Sequence, residues 1–449
     1  MPSARTIVAN IVIAPLYWQA NINVTFALAR KLRKRGHRVL YACIPDTEER
    51  IRSQGSDCVS IFSSVFPPGT LAKQSANEAA GKYLGAEGVN VRVKAMCELC
   101  RDGEVVRATR NFAPDLFLVS NHLPWVGLDA WKSGAPVVMF SSVLISAPDP
   151  VVPPVNSYTF PSTNLMSRIK VFWEWRKTAI QRKVVTRISG LWKSSSYLKE
   201  LARSVGYPLS DIDFDMVPWP RLSFPELLFV PEVFDFQRTT PIQGLFHVEP
   251  SVDTERKDKE FPWQKLDGRP LVYCSLGSLL TFKYLKAAKR FFQALLEAMR
   301  MLPELQAVVA IGNHIKPEGL PCPENVILVD DAPQVALLKQ AKVMVGHGGG
   351  GGLRESIFYG VPLVLCAIGF DAVGNTARAL YHGLAVRADF RKVSAQELKL
   401  AIHRVLRDPS YSEAAKRMSQ KFVELESRSP SITIIENALA GRLNVHQCA

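Results

Sequence analysis

The chain has 449 residues, 47% of them hydrophobic, enough apolar material for sizeable cores in two or three domains. No run of about eighteen uncharged apolar residues occurs, so no transmembrane helix is expected. The net charge of +14, from 55 basic and 41 acidic residues, suits anionic ligands, nucleic acid or an anionic membrane surface. The N-terminus, Met1-Pro2-Ser3-Ala4-Arg5, passes into an apolar run without a signal-peptide layout, so the expected location is cytoplasmic.

In chain order, residues 6–15 predict a strand, 22–35 an amphipathic helix ending at Gly36, and 38–44 a second strand. This βαβ opening predicts a doubly wound parallel sheet with ligands at the carboxyl ends of its strands. Cys97 and Cys100 form the one C-x-x-C pair among eight scattered cysteines. With no second pair or neighbouring His, and in a helix-like stretch, they read as incidental thiols rather than a zinc or redox site. Residues 115–119 predict a strand ending in Ser120-Asn121-His122, and 134–140 another buried strand. A loop with Pro148, Pro150, Pro153, Pro154 and Pro161 follows.

Residues 166–199 mix Arg168, Lys170, Arg176, Lys177, Arg182, Lys183, Arg187 and Lys193 with Phe172, Trp173, Trp175, Ile180 and Trp192. Such a stretch either lies on an anionic membrane, each basic residue adding about 1 kcal/mol there, or forms two surface helices packing an apolar stripe on the sheet. The second reading is favoured. A groove tracking a nucleic-acid backbone is a third use of basic and aromatic residues, but no recognised nucleic-acid module is present. Residues 226–230 are strand-like, and 250–260 are charged and core-less, which marks the domain break.

The second half opens with a strand over 271–275, the turn Leu276-Gly277-Ser278 and an amphipathic helix over 283–301. Gly277 and Ser278 stand where a backbone N–H and a hydroxyl reach a phosphate. A strand over 307–311 ends in Gly312-Asn313-His314, where His314 either flanks a ligand or caps a loop, the loop being favoured. A strand over 325–329 feeds Asp330-Asp331-Ala332-Pro333-Gln334. Next, Val343-Met344-Val345-Gly346-His347 runs into five consecutive glycines at 348–352 and then Leu353-Arg354-Glu355. Strand before and helix after place the glycines at a strand-to-helix turn. The first amides of a helix lack internal partners, and residues without Cβ let a pyrophosphate approach them. His347 can donate to a phosphate oxygen, and Glu355 can accept from sugar hydroxyls. A flexible glycine linker is the alternative, but linkers are not framed by buried-type strands such as this one and that over 360–366. Residues 395–406 and 411–440 are helical and charged.

His347-Gly348-Gly349, Glu355 eight residues after the His, Gly360-Val361-Pro362, Asp371 and Asn375, preceded by Ala332-Pro333-Gln334 with Leu337-Leu338, resemble the donor-site signature of the family 1 nucleotide-sugar-dependent glycosyltransferases. The resemblance implies the GT-B fold, α/β with two Rossmann-like doubly wound domains facing across a cleft. The expected divisions are an acceptor-binding domain over 1–240, a linker over 241–268, a nucleotide-sugar domain over 269–415, and a C-terminal helix over 416–449 packing back on the first domain.

By the same resemblance, Gln334 and Glu355 divide the ribose hydroxyls, the backbone near Ala332 pairs with the base, and Gly277 and Ser278 face the phosphate. His347, Gly349, Gly351 and Gly352 hold the diphosphate, and Asp371 bonds the sugar. The family usually has Ser or Thr at Gly352 and Gln at Ala372, where this chain departs. It also places Gly-His where this chain has Ala20-Asn21; there the His is the general base, oriented by an Asp that this chain lacks after residue 119. An Asn has no pKa suited to proton abstraction at neutral pH. Asn21 therefore either orients an acceptor or caps its helix, and His122 is either a relocated base or a loop-end histidine. The implied reaction inverts the anomeric centre, needs no metal or other cofactor, and moves a sugar from a UDP- or dTDP-sugar to a small apolar natural product or lipid. The alternative is a catalytically inactive binding or partner protein of the same fold.

Overall fold

A computed structural model of the chain describes residues 8–79, 82, 84–190, 192–215, 220–277, 282–312, 315, 317–369 and 371–443. The start of the strand expected at residue 6, Ser278 and His314 lie outside the described residues. Two parallel sheets organise the chain. The first is built from β1 (Asn10–Ala14), β2 (Arg38–Cys43), β3 (Asp57–Ser60), β4 (Leu116–Ser120) and β5 (Val137–Ser141). After a small antiparallel pair, β6 (Ile212–Asp213) and β7 (Arg221–Leu222), it is completed by β8 (Glu226–Leu228) and β9 (Leu245–His247), in the order β3-β2-β1-β4-β5-β8-β9. The seventh strand therefore falls inside the stretch expected as linker.

The second sheet uses β10 (Leu271–Ser275), β11 (Gln306–Ala310), β12 (Val326–Val329), β13 (Ala341–Gly346), β14 (Leu363–Leu365) and β15 (Ala385–Arg387), in the order β12-β11-β10-β13-β14-β15. Both orders reverse direction beside the first strand of the sheet, between β1 and β4 and between β10 and β13. A doubly wound sheet opens a crevice at that reversal.

The central strands are mostly apolar because both faces of each sheet are covered. Alternation sends Val12 and Ala14 to one core and Ile11 and Ile13 to the other, and it divides Val272 and Cys274 from Leu271 and Tyr273 in the same way. One core runs across the domain boundary: Leu144, Leu228, Val230 and Phe234 of the first half pack with Met344, Leu353, Ile357 and Phe422 of the second.

Seven helices bear on the site and its frame: α1 (Gln19–Lys34), α2 (Glu48–Ser53), α3 (Leu165–Ser189), α4 (Gly350–Phe358), α5 (Ala372–Tyr381), α6 (Pro409–Arg428) and α7 (Pro430–Leu439). Cys97 and Cys100 are buried in a helix over Gly85–Arg101, where burial pushes the Cys97 thiol up to about 12. The chain turns between α6 and α7 at Ser429, whose φ of 49° is left-handed. Beyond it, Ile432, Ile435 and Ala438 of α7 join the first domain's core. Burying one such aliphatic side chain contributes about 1.5–3 kcal/mol.

An ionic cluster reinforces this return. Lys31 Nζ on α1 lies 2.6 Å from a carboxylate oxygen of Glu426 and 3.2 Å from Glu249, while Ser431 donates its backbone N–H and hydroxyl to Glu249. The Glu249 side chain is wholly buried and that of Glu426 nearly so. We therefore predict that Lys31→Met, which strands two buried carboxylates, lowers stability by about 3 kcal/mol in chemical denaturation. Lys34→Met, which removes the exposed pair with Glu255, changes it by less than about 0.5 kcal/mol. Equal losses would contradict a clasp at Lys31.

Candidate active site

A cleft of ≈ 3420 Å³ lies between the sheets. Its walls include Asn21 and His122 from the first domain and Gly277, Ala332, Gln334, His347, Gly349, Gly351, Gly352, Glu355 and Asp371 from the second. The two switch points explain the gathering. Asn21 follows β1 and His122 follows β4, while Gly277 follows β10 and His347 follows β13. Residues from 70 positions apart (Gly277 and His347) to 326 apart (Asn21 and His347) thus converge at the carboxyl edges of two facing sheets.

The helix after β13 begins at Gly350, three residues earlier than the sequence reading placed it, with Gly349 as its N-cap. Gly350, Gly351 and Gly352 are therefore its first turn, and their amides have no partner within the helix. Each glycine of the run meets something different. Gly348, at φ +80°, stands against Thr376 Oγ1 and the Ala372 carbonyl. A Cβ at Gly349 would overlap His347 Nε2, and one at Gly277 would stand 2.5 Å from His347 Cε1, so the imidazole is sandwiched between two glycines. A Cβ at Gly350 would come 3.1 Å from the Ser142 carbonyl of the first domain, whereas one at Gly351 would make an ordinary 3.8 Å contact with Ala20. The run thus serves domain contact as well as anion approach. His347 is held down to about 4 by burial, opposed by the Ser275 carbonyl, which favours the protonated ring.

Beside the turn, Glu355 is 7% exposed and both its oxygens are engaged. Gln334 Nε2 donates to Oε2, and Arg256 Nη1 donates to Oε1 at 2.8 Å. Tyr273 donates its hydroxyl to Gln334 Oε1 at 3.2 Å, and Arg256 also pairs with Asp258. The sequence reading missed Arg256, which belongs to the charged connection. Its position on Glu355 has no local signal, since the connection reaches that carboxylate only through the tertiary fold. Arg354 was missed too. Buried and held down to about 10 by that burial, it donates one nitrogen to the carbonyls of Ser142 at 2.9 Å and Phe229 at 3.0 Å across the domain boundary.

Asn21 is not the helix cap: α1 starts at Gln19 with Trp18 as N-cap. The buried Asn21 amide instead accepts the Leu16 N–H at 2.8 Å and donates to Ser142 Oγ at 3.4 Å, tying the β1 loop to the strand-β5 loop. His122 is buried edge-on against Trp18, with ring centroids 5.5 Å apart. Its Nδ1 has no hydrogen-bond partner, and burial pushes its pKa down to about 4, so the ring is neutral at physiological pH. The reading of His122 as a loop-end histidine bonded to a carbonyl finds no such bond there.

Asp371 stands just before α5, accepting from Asn375 Nδ2 at 3.0 Å; Asn375 also donates to the Gly348 carbonyl. Burial raises the Asp371 pKa above the usual carboxylate value. Ala332 and Gln334 border the cleft at the end of β12, and Asp371 lies near Gly350.

Two Rossmann-like domains facing across a cleft, with a phosphate-type turn in the second, make up the GT-B fold. Residues 246–424 match the family described as UDP-glucoronosyl and UDP-glucosyl transferase. The chain is 23% identical over 410 residues to the NDP-glycosyltransferase YjiC of Bacillus subtilis (strain 168), covering 90% of this chain and 91% of that protein. Its fold is similar to the crystal structure of the glycotransferase of kitacinnamycin, with a TM-score of 0.66 and 22% identity over 96% of this chain and 99% of the other. It is also similar to the glycosyltransferase VinC in complex with dTDP, with a TM-score of 0.63 and 17% identity over 96% and 99% of the two chains. 

The contrast between adjacent glycines is testable. Gly349→Ala, which drives a methyl into the His347 ring, should cost about 1–3 kcal/mol in denaturant titration. Gly351→Ala, whose methyl would meet Ala20 at an ordinary 3.8 Å, should stay within about 1 kcal/mol of the parent. Equal tolerance at both positions would contradict the sandwich.

Proposed function

We propose that the enzyme transfers a sugar, with inversion, from a UDP- or dTDP-sugar to a small apolar natural product or lipid. The observation that carries this reading is the convergence of unpartnered first-turn amides, His347, Gln334, Glu355 and Asp371 on one cleft facing Asn21 and His122. The Gly350–Gly352 amides and His347 receive the diphosphate, with Gly277 facing it from the β10 loop. Gln334 and Glu355 take the ribose hydroxyls, the backbone at Ala332 the base, and Asp371 the sugar. Oriented amides at a helix start stabilise charge developing on the leaving diphosphate.

In the transfer, an acceptor heteroatom bonds to the anomeric carbon through an oxocarbenium-like state. The bond from that carbon to the diphosphate oxygen breaks, and its electron pair stays with the diphosphate. The acceptor proton goes to His122, whose unpartnered Nδ1 can take it, or has already left an acidic acceptor. A histidine held near 4 is a weak base, so phenols and carboxylic acids fit better than simple alcohols. Asn21, bonded to Leu16, positions the loop and takes no proton. Peripheral contact with an anionic membrane from the cytoplasmic side belongs to the same reading.

A catalytically inactive binding protein is the second reading, and Arg256 on Glu355 favours it because that guanidinium competes with ribose for the carboxylate. Calorimetric titration with uridine and thymidine diphosphates separates the two. Binding that His347→Ala and Glu355→Ala each weaken by at least about ten-fold, or 1.4 kcal/mol, supports the donor site. No binding of either nucleotide sinks it.

Proton linkage gives a second check. Free His347 has its pKa lowered to about 4 and is neutral at pH 7, while an adjacent diphosphate favours the imidazolium. Binding therefore takes up a proton and strengthens as pH falls through the bound-state pKa. Titrations in buffers of different ionisation heat should show this uptake at pH 6 to 7 in excess of that in His347→Gln; identical uptake would contradict the assignment.

A further inference from the structure

Helix α3 does not pack an apolar stripe on the sheet, as the sequence reading favoured. Over its 25 residues Val171 is the one side chain classed as buried among those described. Trp175 is half-buried and donates its indole N–H to the Val152 carbonyl, and Arg182 pairs with Asp215. At 100° per residue, Val171, Trp175 and Arg182 fall on one side of the helix. The other side carries Leu165, Met166, Ile169, Phe172, Trp173, Ile180, Val184 and Ile188, all exposed, with Met166 at 75%, Trp173 at 64% and Ile188 at 83%. Trp192 continues the apolar surface onto the next helix.

The basic residues Lys170, Arg176, Lys177, Lys183 and Arg187 share this outward side. The whole helix holds seven basic residues and the single acid Glu174. Apolar side chains interleaved with long cations on one surface suit an interface where the former enter a low-dielectric layer and the latter reach its charged boundary. A second copy of the chain fits poorly, because it would set two sets of like charges against each other. The helix also borders the cleft, contributing Arg168, Ile169, Phe172 and Trp173 to its wall.

We infer that α3 is a docking element that seats the protein on an anionic lipid bilayer, with Leu165, Met166, Ile169, Phe172 and Trp173 inserted and the cleft mouth opening toward the acyl layer. The acceptor is then an amphiphile dissolved in the bilayer, entering the cleft along α3. This deepens the lipid branch of the proposed function and rests on that reading for the acceptor, but the docking itself stands on the helix alone. No helix among the described residues is long and apolar enough to cross a membrane, so attachment through α3 is peripheral.

The test is co-sedimentation of the full chain with vesicles of phosphatidylcholine alone or mixed with phosphatidylglycerol, at two salt concentrations. Expected are binding to the mixed vesicles, at least ten-fold weaker binding to neutral ones, and weakening by salt. Phe172→Glu with Trp173→Glu should reduce binding at least ten-fold, and Lys177→Gln with Lys183→Gln about thirty-fold, two surface charges at about a five-fold factor each. Circular dichroism of the same samples should be unchanged. No binding to anionic vesicles, or undiminished binding by both double variants, overturns the inference. So does self-association, in sedimentation velocity, that the Phe172/Trp173 variant abolishes while vesicles remain unbound. Intact vesicle binding with no nucleotide binding would instead overturn the donor-site reading and leave the docking in place.

Discussion

One guanidinium holds the geometry of the cleft. Arg354 leaves the helix that starts at the glycine turn, crosses the domain boundary, and donates to the carbonyls of Ser142 and Phe229 at the carboxyl edge of the first sheet. Those carbonyls stand at the ends of β5 and β8, where edge backbone groups would otherwise lack partners. The contact forces Gly350 against Ser142 and Gly351 toward Ala20. A side chain at Gly350 would hold the two sheets apart. The glycine run is thus a steric requirement of domain apposition as much as a route for an anion.

From that apposition the rest follows. Each sheet opens at its own switch point, and the two openings face one another, so the segments after β1, β4, β10, β12, β13 and β14 supply the chemistry-bearing side chains. Both histidines there are kept neutral by burial, near 4, but in different settings. His347 lies between two glycines beside a helix start, where an incoming diphosphate would restore its charge. His122 lies against Trp18 with a free nitrogen and no anion or carboxylate to support it. The first is suited to respond to a ligand's charge, the second to accept a proton from an acidic partner.

Much of this was legible from residues alone. The βαβ pattern, the uniformly apolar strands and the strand–glycine–helix turn gave the fold class, because each depends on local periodicity and on turn chemistry. What escaped depended on contacts far apart in sequence. Arg256 read as linker charge because nothing near it names Glu355, 99 residues away, as its partner. Asn21 read as a possible cap because the preference of Asn for helix starts is real. The structure begins the helix three residues earlier and spends the amide on Leu16. Helix α3 read as a packed amphipathic element because apolar residues normally find a core; here most of them stay exposed, and periodicity cannot report the absence of a partner.

The most direct test of the central claim is the crystal structure of the full chain with a bound nucleoside diphosphate. The account predicts the terminal phosphate within hydrogen-bonding distance of the amides of Gly350 to Gly352 and of the His347 ring, with the ribose on Gln334 and Glu355 and Arg256 moved off the Glu355 oxygen it occupies. A diphosphate lodged elsewhere in the cleft, with the glycine turn empty and Arg256 still on Glu355, would contradict it.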